Sequence, residues 1–183
     1  MCSRRRSLFL AGRVRESLIV PIVPCSGRLM GQAEVLVRSV FPSMSPIERF
    51  SFIAIRRPQS FTNRLLMFLA GVKDLVAFDV YVDDHALVLG TTGLYRYKKD
   101  FNEAVWLAWF CVDPKARGRG IGQALLEHSV ARARETGFSL MRLYTSTDPN
   151  EASAQRLYER NGFMEVGRKK GLLSTTVFRE KKL

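Results

Sequence analysis

The segment from Val112 to Leu126 combines residue types that bind phosphate groups. An apolar stretch ends at Val112-Asp113-Pro114, and the glycine-rich turn at residues 117–122 leads directly into an amphipathic stretch. The first N–H groups of a helix have no partner within the helix and carry partial positive charge, so they attract anions. Glycines let such a backbone approach a ligand closely. The segment therefore predicts a phosphate cradle at a helix N-terminus.

Two widespread phosphate motifs do not fit this segment. The GxxxxGK[ST] motif is absent because neither Lys nor Ser or Thr follows Gly122, and the GxGxxG motif would need a glycine where Gln123 stands. On the glycines alone, a loop that merely needs tight turns is the better interpretation.

The wider sequence context resembles a known family. Arg117-x-x-Gly120-x-Gly122, placed after a strand, resembles the acetyl-CoA signature Q/R-x-x-G-x-G/A of the GNAT superfamily of N-acetyltransferases. The resemblance runs from about Phe78 to Gly162 and includes the strand Trp106–Val112. It implies one α/β domain with a mixed central sheet flanked by helices. It also implies an enzyme that transfers acetyl from acetyl-CoA to an amine by direct attack, without a covalent enzyme intermediate.

The resemblance assigns a set of residues to acetyl-CoA. Backbone amides of residues 117–123 would bind the pyrophosphate, the main chain of residues 110–112 would pair with the pantetheine arm, and a local bulge would direct an amide at the thioester carbonyl. Family members usually carry a pantetheine-binding asparagine seven residues before a catalytic tyrosine; here Glu151 holds that place and Asn150 precedes it. The implied residues are Phe110, Cys111, Val112, Arg117, Gly118, Arg119, Gly120, Ile121, Gly122, Gln123 and Asn150, and no metal is implied.

Two residues are predicted to be catalytic. Tyr158 matches the tyrosine that protonates the departing thiolate in many members, a role that suits an ordinary phenol pKa near 10. Packing is the alternative, because Tyr158 shares a helix face with Ala154 and Leu157. The family's glutamate base would stand at Trp106, so the base is either Glu103, acting through water, or bulk solvent.

Several other residues of chemical interest have structural explanations. His128 and Cys111 are expected to be packing residues, and direct transfer needs no thiol nucleophile. One of Trp106 and Trp109 is expected to line the acceptor groove and the other to belong to the core. Asp79 could attract a cationic amine.

Hydrophobic periodicity outlines the elements that must position these residues. The clearest helix begins at Ile121 and is capped by Gly137, and Gly90 and Gly93 indicate bulges in a strand. The stretch Phe61–Val72 is too uniformly apolar for periodicity to decide. We predict helices at Arg28–Phe41, Pro46–Ile55, Ile121–Thr136 and Glu151–Arg160, and strands at Leu18–Val23, Val76–Val82, Ala86–Tyr95, Ala104–Val112, Phe138–Tyr144, 163–168 and 173–179.

The charge of the chain is concentrated at its ends. The 183 residues have a net charge of +12, but residues 31–167 carry 17 basic and 15 acidic side chains, so ten of the surplus positive charges lie in residues 1–30 and 168–183. We expect residues 1–15 to be a disordered basic leader and residues 16–183 to form one domain.

No stretch approaches the length of about 18 apolar residues needed to span a membrane. The three widely spaced cysteines fit a reducing cytoplasm.

Two other functions compete with an acetyltransferase. A non-catalytic acyl-CoA-binding module would explain the missing glutamate, and a nucleic-acid binder would explain the net charge. The near-neutral body of the chain argues against nucleic acid and a membrane as partners. The expected partners are acetyl-CoA and an amine on a small molecule or peptide, with a homodimer possible by analogy with related proteins.

Overall fold

The computed structural model describes residues 22–42, 52, 60–172 and 174–183. Four helices are described, with short 3-10 turns at Pro114–Ala116 and Pro149–Glu151. The helices are α1 (Arg28–Val40), α2 (Phe61–Leu69), α3 (Ile121–Glu135) and α4 (Ala152–Arg160). The strands are β1 (Ile22–Pro24), β2 (Val72–Val82), β3 (Val88–Tyr97), β4 (Ala104–Val112), β5 (Leu140–Ser146), β6 (Met164–Lys170) and β7 (Thr175–Lys182).

The described strands form one mixed sheet of seven strands in the order β1-β2-β3-β4-β5-β7-β6. All neighbouring strands are antiparallel except β4 and β5, which are parallel. The parallel pairing covers only three residue pairs and ends at Trp106 opposite Arg142. Because both strands continue beyond these residues, they lie apart over their carboxyl-terminal halves.

Both faces of the sheet are covered. One face packs against α3 and α4 through residues such as Leu107, Leu126 and Phe163, all at most 4% exposed. The other face packs against α1 through Val37 and Val80, both fully buried. The predicted α/β class with a mixed, helix-flanked central sheet is therefore confirmed, and β4 is buried on both faces as its continuous apolar sequence indicates.

The predicted elements are mostly found, with boundary shifts where periodicity was weak. The undecided stretch 61–72 is helical up to Leu69, and β2 begins at Val72, four residues before the predicted start. Register shifts between Val72 and Asp74 and between Leu75 and Ala77 break the period-two pattern there. The predicted leader, residues 1–15, and the predicted helix Pro46–Ile55, apart from the helical Phe52, lie outside the described residues.

The register also corrects the bulge prediction at Gly93. Thr91 lies opposite Cys111, and Gly93 lies opposite Ala108, so the extra residue belongs to β4 and not to β3. Trp109, within this bulge, has a left-handed φ of 52°. Such a backbone is rare for a bulky residue and is found preferentially at functional sites.

Gly90 is required where α3 crosses the sheet. A Cβ at this position would lie 2.7 Å from Leu125 Cδ1, 3.0 Å from the Cys111 carbonyl oxygen and 3.3 Å from Ile121 Cγ2. The leucine end can move, but the carbonyl belongs to the neighbouring strand. We expect Gly90→Ala to lower the free energy of unfolding by about 1–3 kcal/mol, measured by urea denaturation.

Gly31→Ala is the matched control for this substitution. Gly31 lies inside α1, and a Cβ there meets no atom within 4 Å. Alanine at this position is expected to stabilise the protein by about 0.5–1 kcal/mol, because glycine is the poorer helix former. A Gly90→Ala protein as stable as the wild type would contradict the packing described above.

Candidate active site

A cavity of about 1090 Å³ lies where β4 and β5 separate. Its lining includes residues 107–112 of β4, Leu143–Ser146 of β5, the turn before α3, and α4. Leu107 and Leu143 belong to the core on the α3 face, whereas Trp109 packs on the α1 face. The cavity therefore reaches both faces of the sheet through the gap between the two parallel strands.

One end of the cavity is the N-terminus of α3. Gly120 precedes the helix in the left-handed conformation, with a φ of 80°, and provides no side-chain cap. Ala124 is the first residue whose N–H bonds back, to the Gly120 carbonyl at 3.0 Å. Within the described residues, the N–H groups of Ile121, Gly122 and Gln123 have no acceptor. They are free to bind an anion, as the sequence predicts.

Almost all residues of the glycine-rich turn belong to the lining of the cavity. Of the seven residues predicted from 117 to 123, all but Arg119 are in the lining. Arg119 is exposed, and the Arg117 guanidinium donates to the Val112 carbonyl at 3.4 Å, which keeps its charge beside the turn. The predicted residues Phe110, Cys111 and Val112 are in the lining as well.

Tyr158 lines the same cavity from α4. Its ring packs against Phe110 and Phe163, with centroids 5.7 and 5.9 Å away, and the residue is only 6% exposed. The hydroxyl makes no hydrogen bond with any residue in the described ranges. Burial, reinforced by the charge of Glu151, raises the pKa of Tyr158 well above 10. The raised pKa keeps the phenol protonated over the whole neutral and mildly alkaline range.

Glu151 and Asn150 have different surroundings at the edge of the cavity. The Glu151 carboxylate accepts hydrogen bonds from the Ser146 N–H at 2.9 Å and from the hydroxyls of Thr145 and Ser146 at 2.5 and 2.6 Å. It thereby ties the end of β5 to the start of α4. Asn150 lines the cavity and is exposed, with its backbone N–H bonded to Asp148.

Glu103 is not in the described cavity lining. It lies before the first residue of β4, is 57% exposed, and approaches the Arg142 guanidinium at 3.6 Å. Six residues of strand separate it from the bulge at Trp109, a span of about 20 Å. Trp106, at the position of the family's glutamate, is buried and donates to Asp100 Oδ2 at 3.0 Å. Trp109 lines the cavity, as expected for one of the two tryptophans.

Cys111 is buried against Thr91, with Sγ 3.2 Å from the hydroxyl oxygen. Burial raises the pKa of its thiol to about 11. A thiol with this pKa is almost entirely protonated near neutral pH and is a poor nucleophile. The expectation that Cys111 packs is consistent with this environment.

His128 on α3 and Asp79 on β2 form a hydrogen-bonded pair. His128 Nε2 lies 2.9 Å from Asp79 Oδ2, and Arg132 approaches the same oxygen at 3.7 Å. Asp79 is 3% exposed and His128 is partly exposed, so His128 hydrogen-bonds a buried carboxylate at the edge of the core. Neither side chain lines the cavity.

Sequence reasoning missed the tyrosines that line the cavity on the α1 face. Tyr95 and Tyr97 alternate on β3, and Tyr144 lies on β5. The spacing of Tyr95 and Tyr97 is the signal that could have placed both on one strand face.

No group of three or more His, Cys, Asp or Glu side chains that could hold a metal occurs among the described residues. Over the same ranges, no helix has the length and apolar character needed to cross a membrane.

Comparison with known proteins agrees with the fold. The sequence profile of the Acetyltransferase (GNAT) domain matches residues 76–165. A spermine/spermidine N(1)-acetyltransferase of Bacillus subtilis is 34% identical over 96 residues, which is 51% of this chain and 55% of that protein. The chain thus spans about half the length of this curated relative.

Solved structures share the fold over most of the chain. An acetyltransferase of the GNAT family from Staphylococcus aureus Mu50 superposes with a TM-score of 0.66 at 19% identity, covering 88% of this chain and 97% of that one. An acetyltransferase from Streptococcus agalactiae 2603 gives the same TM-score, identity and coverage. The profile match identifies residues 76–165 as an acetyltransferase domain of the GNAT family, and the solved structures show that its fold extends over most of the chain.

Proposed function

We propose that the protein transfers an acetyl group from acetyl-CoA to an amine by direct attack within a ternary complex. The observation that carries the proposal is that the first residues of α3, whose N–H groups are unpaired, line the same cavity as Tyr158, between strands that have separated. The relative from Bacillus subtilis is named for acetylation of amines, which supports an amine as acceptor.

The cavity fits acetyl-CoA on the evidence of its own polar groups. The free N–H groups of residues 121–123, next to Arg117, suit the pyrophosphate. The edge of β4 beyond Trp106 has no ladder partner on β5, which leaves main-chain groups of residues 110–112 for an extended amide-bearing arm. Acetyl-CoA, when bound, supplies the activated thioester carbon.

The bulge and Tyr158 then act on two different atoms of the thioester, its carbonyl oxygen and its sulfur. A backbone N–H of the bulge around Trp109 hydrogen-bonds the thioester oxygen, where negative charge develops. The amine nitrogen bonds to the acetyl carbon as the carbon–sulfur bond breaks, and Tyr158 gives its proton to the leaving sulfur. The amine loses its proton to solvent, and Tyr158 is reprotonated from solvent after the products leave.

The first test measures cosubstrate binding and turnover separately. We expect calorimetry to show acetyl-CoA binding, and release of free thiol to depend on an added amine. Tight acetyl-CoA binding with no thiol release across a panel of amines would favour a non-catalytic acyl-CoA-binding module.

Tyr158→Phe tests the proton donor. The phenylalanine retains the ring packing against Phe110 and Phe163 and removes only the hydroxyl. We expect kcat to fall by about 10²-fold or more, the range for loss of a general acid, with the Kd for acetyl-CoA and the urea midpoint unchanged. Unchanged turnover would remove Tyr158 from the mechanism and leave it a packing residue.

The pH dependence distinguishes the two candidate bases, Glu103 and solvent. If solvent takes the proton, log kcat/KM rises by about one per pH unit up to the pKa of the free amine, and acceptors of different pKa shift the break accordingly. Since the pKa of Tyr158 is raised, no descending limb from loss of its proton is expected up to about pH 10.

Glu103→Gln provides the matched variant for this profile. The distance between Glu103 and the cavity favours solvent, so we expect kcat/KM within about two-fold of the wild type at every pH, as for a substitution outside the reacting groups. A loss of about 10²-fold, together with loss of the acidic limb, would instead assign the base to Glu103.

A further inference from the structure

Among the residues that the structure describes, the lining of the cavity on the α1 face is uncharged and largely aromatic. We call this part of the cavity the acceptor wall, because it lies across the sheet from α3, where the proposed cosubstrate binds its pyrophosphate. It consists of Phe41, Met67, Leu75, Tyr95, Tyr97 and Trp109. Burial and the neighbouring tyrosines raise the pKa of Tyr95, so its phenol remains neutral at physiological pH.

The charged residues of the cavity lie elsewhere. Among the described lining residues, the side chains with a charge are Arg117, Asp148, Glu151 and Arg160, all in the turn before α3 or the segment leading into and through α4. The Asp148 carboxylate accepts the N–H of Asn150 at 2.8 Å, and both oxygens of Glu151 accept hydrogen bonds from β5. These carboxylates hold the site together on its cosubstrate side.

Three carboxylates of the described residues that lie outside the cavity lining also have partners. Asp74 forms an ion pair with Arg96 on the neighbouring strand. Asp100 Oδ2 accepts from Trp106 and from Arg142 at 2.7 Å, and its Oδ1 is buried away from the cavity without a partner among the described residues. Asp79, the residue that sequence reasoning offered for a cationic amine, is paired with His128.

An uncharged acceptor wall and carboxylates that already have partners favour some classes of amine over others. A polyamine keeps one or more ammonium groups after the reacting nitrogen is deprotonated, and each loses water on entering the cavity. A buried charge without a partner is costly, whereas aromatic and aliphatic side chains gain from contact with an apolar body. A single ammonium can also rest against an aromatic ring before it loses its proton.

We propose that the acceptor is a primary monoamine carried on an aromatic or aliphatic body, and that amines with a second ammonium are discriminated against. This inference rests on the proposed acetyl transfer and departs from the polyamine named for the relative from Bacillus subtilis. Phe41, directly after α1, and Met67 on α2 contribute to the acceptor wall and lie outside the segment 76–165 that matches the family profile.

A matched pair of acceptors isolates the second charge. Hexylamine and 1,6-diaminohexane have the same chain length and reacting group, and only the diamine carries a second ammonium. We expect kcat/KM for thiol release to be at least about ten-fold higher with hexylamine, in the range by which an enzyme rejects a poorly matched group. The same order is expected for 2-phenylethylamine over spermidine.

Met67→Glu, with Met67→Gln as control, tests whether the acceptor wall sets this preference. Met67 is partly exposed on α2, so either polar side chain can be accommodated. Glutamate supplies the missing partner for a second ammonium, and we expect it to shift the ratio of kcat/KM toward the diamine by at least about five-fold. Glutamine, which has the same shape and no charge, should leave the ratio near the wild-type value.

The outcomes separate this inference from the proposed function. Equal or faster acetylation of 1,6-diaminohexane and spermidine by the wild type would overturn the acceptor class and leave acetyl transfer intact. An equal shift in the glutamate and glutamine variants would overturn the role of the acceptor wall. Thiol release with none of the amines, despite acetyl-CoA binding, would overturn both proposals.

Discussion

The site depends on a single constraint, that the parallel pairing of β4 with β5 ends after three residue pairs. A sheet that continued this ladder would have no gap, and the N-terminus of α3 would lie over a closed surface. Because the strands separate, an extended arm can lie between them, and the two faces of the sheet communicate at one point. The chemistry is thereby placed in the interior of the sheet and not on its surface.

Both ends of the gap are fixed by polar contacts. At the closed end, Arg142 on β5 binds Asp100 and Glu180, each at 2.7 Å, and Asp100 also accepts the indole N–H of Trp106 on β4. At the open end, Glu151 holds the terminus of β5 against α4, and the bulge at Trp109 bends β4. The shape of the cavity is therefore set by named side chains at both ends.

Structural features that depend on a short segment of the chain could be predicted from the sequence. The glycine-rich turn and α3 follow from spacing within short segments, whereas the proximity of Tyr158 to the site was implied only by the family resemblance. The boundary between α2 and β2 was not predictable, because the stretch 61–72 is apolar throughout and the bulges in β2 interrupt its alternation. The distance of Glu103 from the cavity and the contribution of Tyr97 depend on which strands are adjacent and where they separate. These are properties of long-range packing, which a pattern within one segment does not contain.

The unpaired half of β4 makes the fold itself incomplete. A strand edge with free N–H and C=O groups inside a sheet is a position where another chain can add, and such edges promote misassembly. In the proposed complex the pantetheine arm takes the place of the missing strand. Because a ligand that binds only the native state stabilises it by mass action, the supply of acetyl-CoA would govern how long the protein survives as well as how fast it works. The bound cosubstrate would thus complete the sheet, and a new molecule would take that place at every turnover.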